Sequence, residues 1–307
     1  MKRREFMSLL GGAAVAGALA ARAQQPAGRL PRIGILYFGW NENIAAFLQG
    51  LRDGGYIDGQ SAIIEARYYG TLLDRLPELA KDLVALNCDV IYAAAPYAIQ
   101  AAMKATSTIP IVGGDLESNP VASGWARTLA RPGGNLTGTF LDLPELGGKQ
   151  IELLKDAVPG LSRVAVLWDS TIGGVQFRAT QAAARAAGVT LQSLPIQRAE
   201  DFNSAFDRAA RERIDGMIVL SSPIIQGQRS EIAALALETH LPTISVFTVF
   251  PRFGTLMAYG PNLPDMNKRA GTYVDRILKG AKAGELPIER PTNSSLWLTS
   301  RPPRRSD

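Results

Sequence analysis

The chain has 307 residues, 46% of them hydrophobic, with 33 Lys and Arg against 28 Asp and Glu and a single His and Cys. That length holds two domains with sizeable cores, while one cysteine excludes an intrachain disulfide and a thiolate metal cluster, and one histidine excludes a centre of several imidazoles. The formal charge of +5 sits at the ends, +3 in residues 1–23 and +2 in residues 301–307, so the body is neutral and nothing in it points to nucleic acid.

Residues 1–23 read MKRREFMSLLGGAAVAGALAARA. A positive start (Lys2, Arg3, Arg4), an uncharged stretch over 6–21 and the small-x-small triplet Ala21-Arg22-Ala23 make an export leader, expected to be removed after Ala23. Arg3-Arg4-Glu5-Phe6 fits the twin-arginine address R-R-x-F. The uncharged stretch is short of the ~20 residues of a spanning helix, and no cysteine follows the cleavage site to carry a lipid. The expected location is the periplasm, where nucleotide cofactors are scarce.

From residue 31 short apolar runs alternate with longer amphipathic ones. Residues 32–38 (RIGILYF) predict a buried strand. Residues 43–54 (NIAAFLQGLRDG) have helical spacing and end in Gly54-Gly55, a stop signal. The alternation continues with strands at 63–69, 90–95, 109–113 and 136–141 and helices at 72–86, 97–106 and 121–130. It restarts with helices at 145–158, 175–187, 199–213 and 228–240 between strands at 163–169, 190–195, 216–221 and 243–247. A last unit has a strand near 256–259 and a helix over 264–280. Such alternation predicts an α/β fold with parallel sheets covered by helices on both faces. Two successive sets of strands make two Rossmann-like lobes, joined near 138–144. Cys88, between a helix and an apolar run, reads as a buried structural thiol. His240 reads as a helix-end residue, since no G-x-S-x-G elbow accompanies it.

In open α/β sheets ligands sit beyond the carboxyl ends of the strands. The residues there set the candidate site: Trp40, Ala95, Pro96, Tyr97, Asp115, Asp142, Asp169, Ser221, Ser222, Phe247 and Tyr259. They mix rings, hydroxyls and carboxylates. The aromatic members suit a planar ligand, and equally suit packing under the loops. Asp115 or Asp169, or helix N-termini after Ala95 and Ser221, suit its charged groups. Asp115 and Glu117 form an acid pair on paper, yet no nucleophile, metal set or phosphate loop accompanies them, so neither catalysis nor a cofactor nor a metal is expected.

Five segments carry a resemblance in chain order: FLQGLRDGGYIDG (47–59), STIPIVGGD (107–115), LARPGGNLTG (129–138), YGPNLPD (259–265) and ILKGAKAGELP (277–287), with Gly148 to Leu154 and Val158-Pro159 between them. The chain resembles the periplasmic substrate-binding proteins of ABC transporters, in the group with tryptophan- and tyrosine-binding members. The resemblance implies the type I binding-protein fold, in which one small ligand, an amino acid or aromatic compound, is clamped between two hinged lobes. It implies a membrane permease as partner, a monomer and no catalysis. On this basis residues 31–138 plus 254–284 form the first lobe and 139–253 plus 285–292 the second, with crossings near 136–144, 247–253 and 285–291. An extracytoplasmic sensor for a membrane signalling partner is the alternative reading, and a hydrolase on the same fold the third.

Residues 293–307 (NSSLWLTSRPPRRSD) depart from the family's ending, a strand and a helix. Synonymous codons for residues 296–307, read two bases later, spell VVNLKTAKALG, which is that ending. A frameshift near 293–296 is therefore expected in the gene, with 293–307 an aberrant, unstructured tail.

Overall fold

In the first half, the apolar runs at 32–37 and 90–94 become strands buried on both faces, as central parallel strands between helices must be. The computed structural model describes residues 29–299 apart from 71, 117, 118, 142, 292 and 293. The expected leader and residues 300–307 lie outside the described residues. The first half runs β1 (Arg32–Tyr37), α1 (Glu42–Asp53), β2 (Ile63–Tyr68), α2 (Leu76–Ala85), β3 (Val90–Ala94), α3 (Pro96–Ala105), β4 (Ile111–Leu116) and β5 (Leu136–Phe140). These strands form one parallel sheet in the order β2-β1-β3-β4-β5. Helix α1 shows the local logic. The Asn41 side chain accepts from the backbone N–H groups of Asn43 and Ile44 and so caps the helix. Ile44, Phe47 and Leu51 then fall on one face and are buried, the spacing of an amphipathic helix.

The second half repeats the scheme: α4 (Leu143–Ala157), β6 (Arg163–Asp169), α5 (Gly174–Ala186), β7 (Thr190–Ile196), α6 (Asp201–Arg211), β8 (Gly216–Val219), α7 (Pro223–Gly227), α8 (Arg229–Glu238) and β9 (Thr243–Ser245). They are followed by β10 (Met257–Pro261), α9 (Leu263–Leu278) and β11 (Ser294–Leu298). The second sheet has the order β11-β10-β9-β8-β6-β7, parallel except for β11. A matching carboxylate pins each sheet. Asp89, just before β3, accepts from the Arg32 N–H at 2.7 Å. Asp215, just before β8, accepts from the N–H groups of Ser162 and Arg163 at 2.9 and 2.8 Å. The Ser162 amide leads the contacts that hold the Asp215 carboxyl below its usual range.

Four expectations need correction. Residues 285–289 do not belong to the second lobe: the Ile288 amide donates to the Leu129 carbonyl, and Glu289 pairs with the Gly138 and Phe140 backbone of β5. Residues 254–261 do not return to the first lobe: β10 pairs with β9 in the second sheet, and the chain crosses only at the step into α9. Residues 121–130 are turns rather than a helix. There Asn119 Oδ1 accepts from the amides of Val121 and Ala122, and the Trp125 amide folds back on Pro120. A stretch of the tail is also structured, because residues 294–298 pair antiparallel with β10. Its ladder bonds are made by backbone groups, which any side chain permits.

Helix α9 links the lobes. Its first turn places Leu263 and Met266 in the second-lobe core, and Ala270, Tyr273, Val274 and Ile277 in the first. It lies so close to α1 that a Cβ on Gly50 would stand 2.2 Å from the Lys268 carbonyl oxygen, and one on Gly271 2.6 Å from the Gly50 carbonyl carbon. Both obstacles are backbone and cannot swing aside. Overpacking of about 3 kcal/mol outweighs the ~1 kcal/mol by which alanine exceeds glycine as a helix former. We expect Gly271→Ala to lower unfolding free energy by about 2 kcal/mol in urea titration. An unchanged midpoint would contradict this contact.

Cys88 is buried against Leu83 and Ile91, its sulfur 3.1 Å from where a Gly34 Cβ would lie. Burial, with the Glu65 charge adding to it, pushes the thiol up to about 11. The folded chain is therefore expected to resist iodoacetamide at pH 8 and to be labelled once unfolded in urea; rapid labelling of folded protein would show an accessible thiolate.

Candidate functional site

Each sheet has one place where its strand order reverses: between β1 and β3 in the first lobe, and between β6 and β8 in the second. Such switch points open a crevice at the carboxyl ends of the strands, where doubly wound folds hold ligands. Here the two crevices face each other. The first lobe contributes Tyr37 and Phe38 from the end of β1, Tyr69 after β2, and Ala94 and Ala95 from the end of β3. The second contributes Ser221, Ser222, Pro223 and Gln226 after β8 and Phe247 after β9. Leu141 and Leu263, on two of the lobe crossings, complete the wall. The gap enclosed is about 30 Å³, one water molecule's share of liquid water. The lobes are thus in contact. A larger groove of about 1770 Å³ runs along the amino ends of the first sheet, past Gly54, Gly133 and Lys279. That is the wrong end of a parallel sheet for a ligand site.

A hydrogen bond fastens the lobes directly. Tyr97, in the first turn of α3, meets the Thr171 hydroxyl of the second lobe at 2.9 Å. Thr171 is held in turn by Asp169, whose Oδ1 accepts from both its amide and its hydroxyl. Asp169 is 1% exposed, and its Oδ2 has no partner among the described residues. Ser221 is clamped by Gln176, whose Oε1 accepts from the Ser221 amide at 3.2 Å. The Ser222 hydroxyl accepts from the Ile225 amide and caps α7.

Ala95 has φ 72° and ψ 151°, a backbone region that is nearly glycine-only and costs about 1–3 kcal/mol. Its N–H donates to the Gly114 carbonyl at 3.1 Å, and Pro96 starts α3 immediately after it. The strained bend delivers Tyr97 to the cleft. Gly114 is itself required, since a Cβ there would lie 2.5 Å from the Tyr92 hydroxyl.

Of the residues expected at the site, Ala95, Ser221, Ser222 and Phe247 line the gap, Pro96 and Tyr97 flank it, and Asp169 acts through Thr171. Asp115 falls at the carboxyl end of β4. Asp142 lies outside the described residues. The structure does not bring in the other two. Trp40 is 70% exposed on the bend before α1. Tyr259 sits mid-strand in β10 and packs with the cluster of Ile151 and Leu154 on the α4 side. A ring near a strand's end reaches a cleft only from the right face, and alternation along β10 turns Tyr259 the other way. Sequence reasoning missed Tyr37, Phe38, Tyr69, Gln226 and Leu263. The signal for the first three was available: each is the last residue of its strand run or the one beyond it.

The model of the family described as ABC transporter substrate binding protein matches residues 39–301. The tyrosine-binding protein of Clostridioides difficile (strain R20291) is 25% identical over 246 residues, covering 79% of this chain and 70% of that protein. Among solved structures, the ABC domain from Streptococcus pneumoniae in complex with L-Trp superposes with a TM-score of 0.79 at 22% identity, over 88% of this chain and 92% of that one. The ligand-free, open structure of a substrate binding protein with adhesive properties from Clostridium difficile superposes with a TM-score of 0.64 at the same identity and coverage. Both structures share the two-lobed fold described above.

The Tyr97–Thr171 bond defines a measurable coupling. A neutral hydrogen bond contributes about 0.5–1.5 kcal/mol net, and this one is exposed, which favours the lower end. In a double-mutant cycle of Tyr97→Phe and Thr171→Val, read as the shift of the open–closed equilibrium by spin-label distances, we expect a coupling of about 0.5 kcal/mol. Strict additivity of the two losses would show that the pair does not hold the lobes.

Proposed function

Since this chain belongs to the ABC transporter substrate-binding protein family, we propose that it clasps an amino acid with an aromatic side chain between its lobes and hands it to a membrane permease. The observation that carries the reading is the pair of facing switch points, closed over a gap walled by Tyr37, Phe38, Tyr69 and Phe247. Rings on both sides suit a flat apolar group, and the serines and Gln226 supply hydrogen bonds around it. The ligands printed for two relatives, tyrosine and L-Trp, are of the same kind. Asp169 is a positioning residue in this reading, because it orients Thr171 from behind. The lobes touch with almost no room between them, so a ligand enters only when they part, and closure removes it from water. We further propose that residues 1–23 direct export by the twin-arginine route and that the working location is the periplasm.

A thermal-shift panel of the twenty amino acids tests the ligand class. L-Tyrosine or L-tryptophan is expected to raise the midpoint, with a stabilisation of about 2.7 kcal/mol at a hundredfold excess over Kd, while L-aspartate and L-lysine leave it unmoved. A panel without any shift, or one led by charged amino acids, would overturn the aromatic assignment.

A further inference from the structure

Four strands stand at the edges of the two sheets: β2 and β5 in the first, β11 and β7 in the second. An edge strand offers its free backbone groups to another chain unless something blocks it. Three of these edges are blocked. β2 carries two charged residues, and its Glu65 pairs with both Arg32 and Arg67. β5 is covered by Glu289, whose backbone bonds to those of Gly138 and Phe140. β7 carries an exposed Pro195, which has no N–H to donate. β11 has no charge and no proline, and no strand pairs with its outer side among the described residues. Its Leu296, Trp297 and Leu298 are exposed. The phase of the ladder shows which backbone groups face outwards. Just past the strand, the Thr299 amide donates to the Leu256 carbonyl at 3.0 Å. Hydrogen-bonded and non-hydrogen-bonded pairs alternate along an antiparallel ladder, and Leu298 lies opposite Met257. Ser295 and Trp297 therefore turn their N–H and C=O groups towards β10, while Ser294, Leu296 and Leu298 turn theirs away. The same phase places Pro261 opposite Ser294 in a pair that exchanges no hydrogen bond, so the missing proline N–H leaves the ladder intact.

We propose that β11 pairs antiparallel with β11 of a second copy of this chain, about a two-fold axis at Leu296, in place of the monomer that the family resemblance implies. The occupant is a second copy because SSLWL fits its own reverse. With Leu296 opposite Leu296 of the second copy, Leu298 falls opposite Ser294 and Trp297 opposite Ser295. Apart from the leucine pair on the axis, each large side chain meets a small one, and no like charges meet. The outward groups of Ser294, Leu296 and Leu298 then exchange about six ladder hydrogen bonds with the same groups of the copy. Trp297 and Ser295 meet in a non-hydrogen-bonded pair, where side chains lie closer. Such an isologous contact uses up the edge it needs, so it closes as a dimer rather than growing into a fibre. It joins two second lobes and involves no first-lobe residue. Three apolar side chains a copy are few beside the about 20–30 residues a side of a standard interface, so the dimer is a dissociable one, in the micromolar range.

The test is sedimentation velocity on the full chain over about 1 μM to 1 mM, a range that spans weak association. The native chain should pass from monomer to dimer within it. Leu296→Lys and Leu296→Glu each set like charges on the axis and should weaken self-association at least tenfold, with thermal midpoints close to the native one. An equimolar mixture of the two should restore the dimer, because opposite charges then meet across the strands. Should the charged variants fail to fold, Leu298→Pro serves in their place: it removes an outward N–H and no bond to β10, a position where an edge strand accepts proline, and it too should weaken the dimer at least tenfold. A native chain that stays monomeric throughout overturns the proposal. So does association of equal strength in native and variant chains, as contact through residues 1–23 would give, and so does a loss in both charged variants that their mixture fails to restore.

Discussion

Helix α9 is anchored in two cores at once, and the rest of the molecule is arranged around that constraint. Its first turn belongs to the second lobe, and the remainder is pressed against α1 at a glycine-to-glycine contact where backbone meets backbone. Tyr92 reinforces the attachment. Its ring stacks on Phe47 of α1 with centroids 3.8 Å apart, and its hydroxyl donates to the Asn267 side chain of α9. Relative rotation of the lobes must be absorbed at the step into α9 and at the two other crossings, after β5 and before β11. Leu141 and Leu263 lie at two of these steps and also line the gap. The crossings between the lobes and the wall of the gap therefore share residues.

The architecture was legible because the signal for buried parallel strands is composition rather than geometry. Runs such as VIYAA in β3 and RVAVLWD in β6 admit few other readings once amphipathic segments separate them. What the sequence does not encode locally is which sheet a strand joins. The turn at Phe250 to Phe253 is followed by a strand of ordinary appearance, and only its pairing with β9 keeps it in the second lobe. The wall of the gap was legible in part. Listing strand ends took in Ala95, Ser221, Ser222 and Phe247, with Tyr97 beside them, since chain order dictates that these follow β3, β8 and β9. The same rule took in Tyr259 wrongly, because it ignores the face of the strand.

Strand β11 shows how little a ladder asks of side chains. SSLWL has no alternation of apolar and polar residues, yet it pairs along all of β10 from Met257 to Pro261. Its N–H and C=O groups find partners whatever the side chains are. The side chains pay for the mismatch: Leu296, Trp297 and Leu298 are exposed at the sheet's edge. An uncharged, apolar edge strand is an invitation to further pairing. For residues 294–298 the expectation of an unstructured tail failed because it was argued from side-chain pattern, whereas edge pairing is decided by backbone geometry and by an available neighbour.

The costs stored in the fold gather at the cleft. Ala95 is held in a nearly glycine-only conformation, and among the described residues one Asp169 carboxylate oxygen and the Asn43 amide are buried without a hydrogen-bond partner. Each penalty is of the order of 1–3 kcal/mol, a sizeable part of the about 5–15 kcal/mol by which folded proteins are stable. Such features persist only where surrounding structure over-determines them. Here the parallel ladder on either side of β3, the Gly114 carbonyl and Pro96 fix Ala95, while the Thr171 turn fixes Asp169. A closed cleft that holds polar groups short of partners is less stable than it would be with those partners supplied. Strain at Ala95 aims Tyr97 at the Thr171 hydroxyl of the opposite lobe. The bend that costs the first lobe backbone strain thus also supplies a direct hydrogen bond to the second.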